Sequence, residues 1–137
     1  FMQLDFENLS GQKRYSPAKT YYQNKLALLM LSLYMREHWK GIKIQAIRVT
    51  NVKVDMSRYD HLSAFMKNLY KIKSKFSISP EEMAKVYTAL STEDGHDGFL
   101  YDEKCREVKA NRTAYEEEEQ KKLCTLLEQM TCVKDNE

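Results

Sequence analysis

The sequence predicts an α/β fold, rich in helix and carrying two short strands. Four segments read as helices, from helix-start signals, an apolar run or apolar residues at helical spacing, and two short segments read as strands. The elements run helix, strand, two helices, strand, helix. Alternation of this kind indicates an α/β sheet with crossover helices. Two strands seldom make a stable sheet alone, because three or more are normally needed. The chain is therefore expected to rely on sheet partners that it does not itself contain.

Ser16-Pro17 opens the first helix, since serine can cap free amides and proline suits the first helical position. This helix is expected to reach about Trp39 and to stop at Gly41. Its middle, Leu26 to Leu31, is apolar all round, as in a helix buried on more than one side. Ile42 to Val49 is the first strand, with Ile42 and Ile44 alternating with Lys43 and Gln45 near its start. Leu62, Phe65, Met66, Leu69 and Tyr70, extended by Phe76, form an apolar stripe at helical spacing, with the lysines largely off it. Ser79-Pro80-Glu81-Glu82 carries a capping box and starts a helix to about Leu90. Phe99 to Tyr101 is the second strand. Thr113 and Glu116 read as another capping box before a last helix to about Thr131. Glu117–Lys121 and Glu118–Lys122 are favourable pairs on that helix, and its acidic start suits the helix dipole.

Composition limits the function. Of 137 residues, 42% are hydrophobic and 31% charged, which is the balance of a core-forming soluble chain. A net charge of +2, with no groove-like interleaving of basic and aromatic residues, argues against nucleic acid as a partner. The longest apolar run, Leu26 to Met35, is too short to span a bilayer. Asp5 and Glu7 stand where a secretory leader would be basic and then apolar, so secretion is not expected. The three cysteines, Cys105, Cys124 and Cys132, match no common zinc spacing and read as reduced thiols. The three histidines are scattered, and no metal site is expected. The chain opens Phe1-Met2, so a fragment of a longer protein is expected.

Two Tyr-x-x-x-Lys pairs occur. Tyr15–Lys19 straddles the predicted helix start, whereas Tyr21–Lys25 lies inside the helix, where residues four apart share a face. A free tyrosine leaves only about 0.1% phenolate at neutral pH. A lysine charge about 5 Å away contributes roughly 3 kcal/mol at an effective dielectric of about 20. That brings the phenol toward neutrality, where it can exchange a proton with an alcohol or carbonyl. Taken by itself, the spacing equally describes a solvated surface pair.

From Gln12 to Ala27 the chain reads Gln-Lys-Arg-Tyr-Ser-Pro-Ala-Lys-Thr-Tyr-Tyr-Gln-Asn-Lys-Leu-Ala. This segment resembles the active-site helix of the short-chain dehydrogenase/reductase family, more closely its retinol-dehydrogenase-like branch. Ile42 to Val49, the loop Thr50 to Asp55, Ser79 to Glu82, the strand Gly98 to Asp102 and the last helix are similar to that branch as well. The resemblance implies the carboxy-terminal half of a doubly wound parallel-sheet (Rossmann-like) domain, catalytic and substrate-binding across residues 1–137. It implies NAD or NADP as cofactor and hydride exchange with an apolar alcohol or carbonyl. Tyr21 would be the general acid or base. Lys25 would tune it and hold the nicotinamide ribose. Thr50, Asn51 and Val52 would line the nicotinamide end. The helix bearing Leu62, Phe65, Met66 and Leu69 would be the flap over the substrate. A cytoplasmic or membrane-peripheral location facing the cytosol follows from the same resemblance.

The sequence departs from the family in places. Thr50-Asn51 stands where the family usually has Pro-Gly, although asparagine tolerates the left-handed conformation that such a turn uses. Asn24 stands before the lysine, where a small hydroxyl residue is common. The chain has no glycine-rich fingerprint to cradle a pyrophosphate. Ser10 and Ser16 lie too close to the active helix to be the family's catalytic serine. The amino-terminal half is thus expected from a second chain or another segment, with a homo-oligomer as a further arrangement. The alternative is a non-catalytic binding module, or an inactive fragment, derived from that fold. For the Leu62–Leu69 stripe, core packing and membrane-surface docking stand beside the substrate wall.

Overall fold

The computed structural model describes residues 3–55, 63–75 and 77–131. The chain divides into two compact units, Phe1–Ala46 with Lys109–Glu137, and Ile47–Val108.

The first unit is helical. A 3-10 turn at Phe6–Asn8 precedes α1 (Pro17–His38), and a second 3-10 turn at Arg112–Tyr115 precedes α4 (Glu117–Thr131). Pro17 is the first residue of α1, as its fixed φ favours. Ser16 occupies the cap position in an extended conformation, but its side chain makes no capping bond, contrary to the sequence expectation. The helix closes where Trp39 N–H donates to Met35 O at 2.8 Å, and Gly41 follows at φ +79. That left-handed angle is the reason for a glycine there.

Although α1 is apolar over much of its circumference, burial is confined to Gln23, Leu26, Met30 and Leu33. These residues recur every three or four positions, so they form one stripe. α1 packs against α4 and the second 3-10 turn. Leu123 and Ala114 are fully buried on those two elements. Full burial of a leucine or methionine side chain contributes about 1.5–3 kcal/mol, so this seam is the main stabiliser of the unit. Two glutamines fasten it. Gln23 donates from Nε2 to Gln3 O at 2.7 Å and accepts Asp5 N–H at 2.6 Å, which ties the amino-terminal segment to α1. Gln120 donates from Nε2 to Ala114 O at 2.7 Å.

The last helix starts differently from the sequence expectation. Thr113 is not its cap; it is buried within the 3-10 turn, which Asn111 caps by accepting Thr113 N–H at 3.3 Å. Glu118 and Lys122 form no ion pair among the described residues. The Lys122 ammonium lies 4.2 Å from the centroid of the Phe6 ring instead.

The second unit holds the strands. β1 (Ala46–Ile47), on whose second residue the unit begins, pairs in parallel with β2 (Leu100–Tyr101). Between them in sequence run α2 (Ala64–Ser74) and α3 (Pro80–Thr92). The fold is thus helix-rich α/β with two short parallel strands. The expected strand over Ile42–Val49 is reduced to two residues, because a ladder extends only as far as its partner, and β2 is equally short. Arg48 N–H donates to Tyr101 O at 2.7 Å, and Val108 N–H to Leu100 O at 2.8 Å. Parallel pairing continues at one further point, between Val52 and Ile78.

The capping box of α3 forms as predicted: Glu82 N–H donates to Ser79 Oγ at 3.1 Å, and Ser79 N–H to Glu82 Oε2 at 2.9 Å. With its start so fixed, α3 turns Met83, Val86 and Leu90 onto Tyr101, and Ile47, Val52, Ile78 and Cys105 pack around them. The buried Tyr101 hydroxyl accepts Gly98 N–H at 2.6 Å. A Cβ at Gly98 would meet the carboxyl end of Glu107 and, at 2.8 Å, the Tyr101 hydroxyl.

Candidate functional site

The predicted catalytic pair lies on α1. Burying Gln23, Leu26, Met30 and Leu33 leaves Tyr21 and Lys25 on the solvent side, with Tyr21 58% exposed. The Lys25 ammonium lies 5.6 Å from the centroid of the Tyr21 ring, within cation–π range. Tyr22 meets the same ring edge to face, with centroids 5.4 Å apart. Among the described residues the Tyr21 hydroxyl has no hydrogen-bond partner and Lys25 no carboxylate partner. Both groups are therefore open to an incoming molecule. The rival pair is differently placed. Tyr15 precedes the helix, and the Lys19 ammonium is held by Asp5 at 2.8 Å.

Thr50, Asn51 and Val52 belong to the second unit. Val52 packs against the Met83–Val86–Leu90–Tyr101 core. Thr50 and Asn51 line a cleft of about 650 Å3, together with Lys75, Ser77, Lys85, Glu103 and Lys104. The cleft takes its walls from the residues that follow β1, those that follow β2, the connection between α2 and α3, and the start of α3. In open parallel sheets this is the usual ligand position, outside the carboxyl ends of the strands. Thr50 Oγ1 donates to Glu103 Oε1 at 3.2 Å, joining the first two walls.

A buried carboxylate fixes the second wall. Asp102 is 1% exposed and accepts four bonds: Lys104 N–H at 2.9 Å, Arg106 N–H at 3.0 Å, Arg106 Nε at 2.8 Å and Arg106 Nη2 at 2.7 Å. The Arg106 guanidinium holds its pKa down to about 2. The turn so stapled carries Cys105 at φ +55, a left-handed angle uncommon outside glycine, and leaves Glu103 and Lys104 at the cleft. The capping bonds from Ser79 likewise hold Glu82 below the usual carboxylate range. Sequence reasoning missed Asp102, Glu103, Lys104, Arg106 and Lys85. The signal available was Asp102-x-x-x-Arg106 directly after an apolar strand.

The predicted substrate wall is exposed. Phe65 is 73% accessible, Met66, Leu69 and Ile72 are exposed as well, and no described apolar side chain of α2 is buried. Phe65, Met66 and Leu69 therefore take no part in the core formed by the described residues. Leu62 and Phe76, assigned to the same stripe, lie outside the described residues. α2 is held by Tyr70, whose hydroxyl accepts Val54 N–H at 2.7 Å and donates to Val52 O at 3.5 Å.

Among the described residues no helix is long and apolar enough to cross a membrane. No known protein family, curated protein or solved structure matches this chain.

Proposed function

We propose that this chain is the catalytic, carboxy-terminal part of an NAD(P)-dependent oxidoreductase of the short-chain dehydrogenase type, acting on an apolar alcohol or carbonyl. The observation that carries the reading is the open Tyr21 hydroxyl with Lys25 one helical turn along the same face. The two parallel strands with helices between them support it at the level of fold, as one piece of a doubly wound sheet.

The described glycines at positive φ, Gly11, Gly41 and Gly95, stand singly in turns and form no pyrophosphate cradle. In the first unit the Lys25 ammonium is suited to ribose hydroxyls; in the second unit, taken by itself, the polar Thr50–Asn51 edge is suited to a nicotinamide amide. The dinucleotide grip then falls to a second segment or chain. When bound, the cofactor supplies or accepts a hydride. Tyr21 passes its hydroxyl proton to the carbonyl oxygen in reduction and takes it from the alcohol in oxidation. Lys25 stabilises the negative charge left on the phenol oxygen. Phe65, Met66 and Leu69 offer the apolar wall for the substrate. The exposed face of α2 also favours a second reading, a non-catalytic module that holds a partner by that helix. A cytoplasmic or membrane-peripheral location facing the cytosol accords with the dehydrogenase reading.

The test combines the chain with a polypeptide carrying a glycine-rich strand-turn-helix and follows NADH or NADPH oxidation with an apolar aldehyde. Turnover is expected, and Tyr21→Phe should lower kcat by about 10²–10⁴-fold. Cofactor-dependent turnover that survives Tyr21→Phe unchanged would remove Tyr21 from the chemistry and leave the module reading.

A further inference from the structure

We propose that α2 docks the chain on an anionic lipid surface. Its Phe65–Leu69–Ile72 row would enter the headgroup boundary, and its lysines would meet the lipid charge. This docking rests on the exposed α2 face already read as a substrate wall or partner surface, and it names what that face meets. An apolar substrate partitions into the same bilayer, so one face serves both contacts. Tyr21 and Lys25 take no part.

Spacing sorts the helix into rows. Phe65, Leu69 and Ile72 stand four and three residues apart, so they share one face, and all three are exposed. Lys67, Lys71 and Lys75 recur every four residues and form a second row. Lys75 follows the last residue of α2, and its N–H donates to Ile72 O at 3.3 Å, so the row continues past the helix end. Tyr70 fixes which way the helix is turned, because its hydroxyl bonds the Val52–Val54 segment while the apolar row stays exposed. Residues 64–75 hold four lysines and no acidic residue, so this stretch is +4 in a chain whose net charge is +2. Among the described residues no carboxylate pairs with Lys67 or Lys71. Lys75 also lines the cleft with Glu82 and Glu103, which leaves Lys67 and Lys71 as the main cations for a lipid headgroup.

Residue type separates a lipid surface from a protein partner. Protein interfaces are enriched in Tyr, Trp and Arg and depleted in Lys. α2 has neither tryptophan nor arginine, its one tyrosine is engaged with the Val52–Val54 segment, and every cation it carries is a lysine. A basic helix with phenylalanine and leucine on its apolar side is the pattern of helices that lie in a membrane interface. The long lysine stems let the apolar row sink while the ammonium groups stay among the headgroups. At 11 residues α2 is roughly 16 Å long, too short to cross a bilayer and suited to lying along it. Anionic lipid supplies both demands of this face at once, an apolar boundary and a dense negative charge beside it.

The experiment is flotation of the full chain with vesicles of phosphatidylcholine alone and of phosphatidylcholine mixed with phosphatidylserine. Partitioning should be at least about tenfold stronger on the phosphatidylserine vesicles, and added salt should weaken it. Lys67→Gln/Lys71→Gln should remove most of that preference. Phe65→Ser/Ile72→Ser should lower partitioning by about tenfold or more although every lysine remains. Tyr87→Ser, which alters another exposed aromatic side chain in the same unit, should change nothing. Circular dichroism of the same samples shows that each variant is folded. Absence of partitioning, equal partitioning on the two vesicles, or a loss with Tyr87→Ser as large as with Phe65→Ser/Ile72→Ser would overturn the proposal, and the first of these leaves α2 to a protein partner. Tyr21→Phe should float as the parent does, so a failure of docking and a failure of turnover are told apart.

Discussion

Helices α1 and α2 relate pattern to burial in opposite ways. α1 carries apolar residues around most of its circumference, yet what it buries is a single stripe, Gln23, Leu26, Met30 and Leu33. α2 sorts its apolar residues to one side, and buries none of them. The difference lies in the partners. α1 meets α4 and the 3-10 turn at Arg112–Tyr115, and the residues facing them become core whatever the remaining faces carry. α2 is held by the Tyr70 hydroxyl on the Val52–Val54 segment, and its Phe65–Leu69–Ile72 face looks outward. Periodicity records which face of a helix calls for cover. Only the rest of the assembly decides whether cover is supplied.

The strongest way to break this comparison is to empty the α1–α4 seam. Met30 and Leu123 are both fully buried, and truncating either to alanine removes packing that nothing nearby can replace. Each substitution should cost about 2–5 kcal/mol. Urea unfolding followed by the fluorescence of Trp39, the chain's single tryptophan, reads the change at the end of α1 itself. A shift of the midpoint equivalent to less than about 1 kcal/mol would mean that the seam is not the core of its unit.

The second unit should reveal itself by its response to acid. Asp102 falls from 3.8 to about 2 on folding, chiefly because Arg106 donates to its carboxylate. A group whose folded pKa is depressed contributes stability above its unfolded value and loses that contribution as pH falls through its folded value. The contribution of Asp102 is therefore complete above about pH 4 and disappears toward pH 2. Asp102→Asn should lower the thermal midpoint at pH 7, and the gap from the parent should close across that acid window. A gap that stays constant from pH 7 to pH 2 would show that the carboxylate charge does not hold the turn.

What could be read from the sequence follows how local each feature is. The Ser79–Glu82 box and the Tyr21–Lys25 spacing each span one helical turn, so the residue order alone specifies them. The same kind of signal misled at Thr113, because Asn111 two residues earlier offered a better acceptor and drew the threonine into a 3-10 turn. The strand predicted over Ile42–Val49 extends only to Ala46–Ile47, since its length is set by a partner more than fifty residues away. Of the lysine-lined cleft only the Thr50–Asn51 edge was legible. Lys75, Lys85 and Glu103 join it from three other stretches of chain, and no spacing within any one of them signals the others.

The smallest expected stability effect is the most informative about α2. Phe65→Ser and Ile72→Ser act on side chains 73% and 63% exposed, so each should change folding stability by no more than about 0.5 kcal/mol. A loss above about 1 kcal/mol would show that this face is covered within the chain, and the contrast with α1 would fail. With stability unchanged, the same variants separate the uses of the exposed face. A substrate wall that covers an apolar tail loses roughly 1.5–3 kcal/mol when the large side chain is removed, which is about 10- to 100-fold in kcat/KM. That loss should appear with a long-chain aldehyde and be much smaller with a short one, because only the long chain reaches the helix. A loss equal for both substrates points to displacement of α2 as a whole, which Tyr70→Phe, lacking the hydroxyl that accepts Val54 N–H, should reproduce. No loss for either substrate transfers the role of Phe65 and Ile72 to a partner surface.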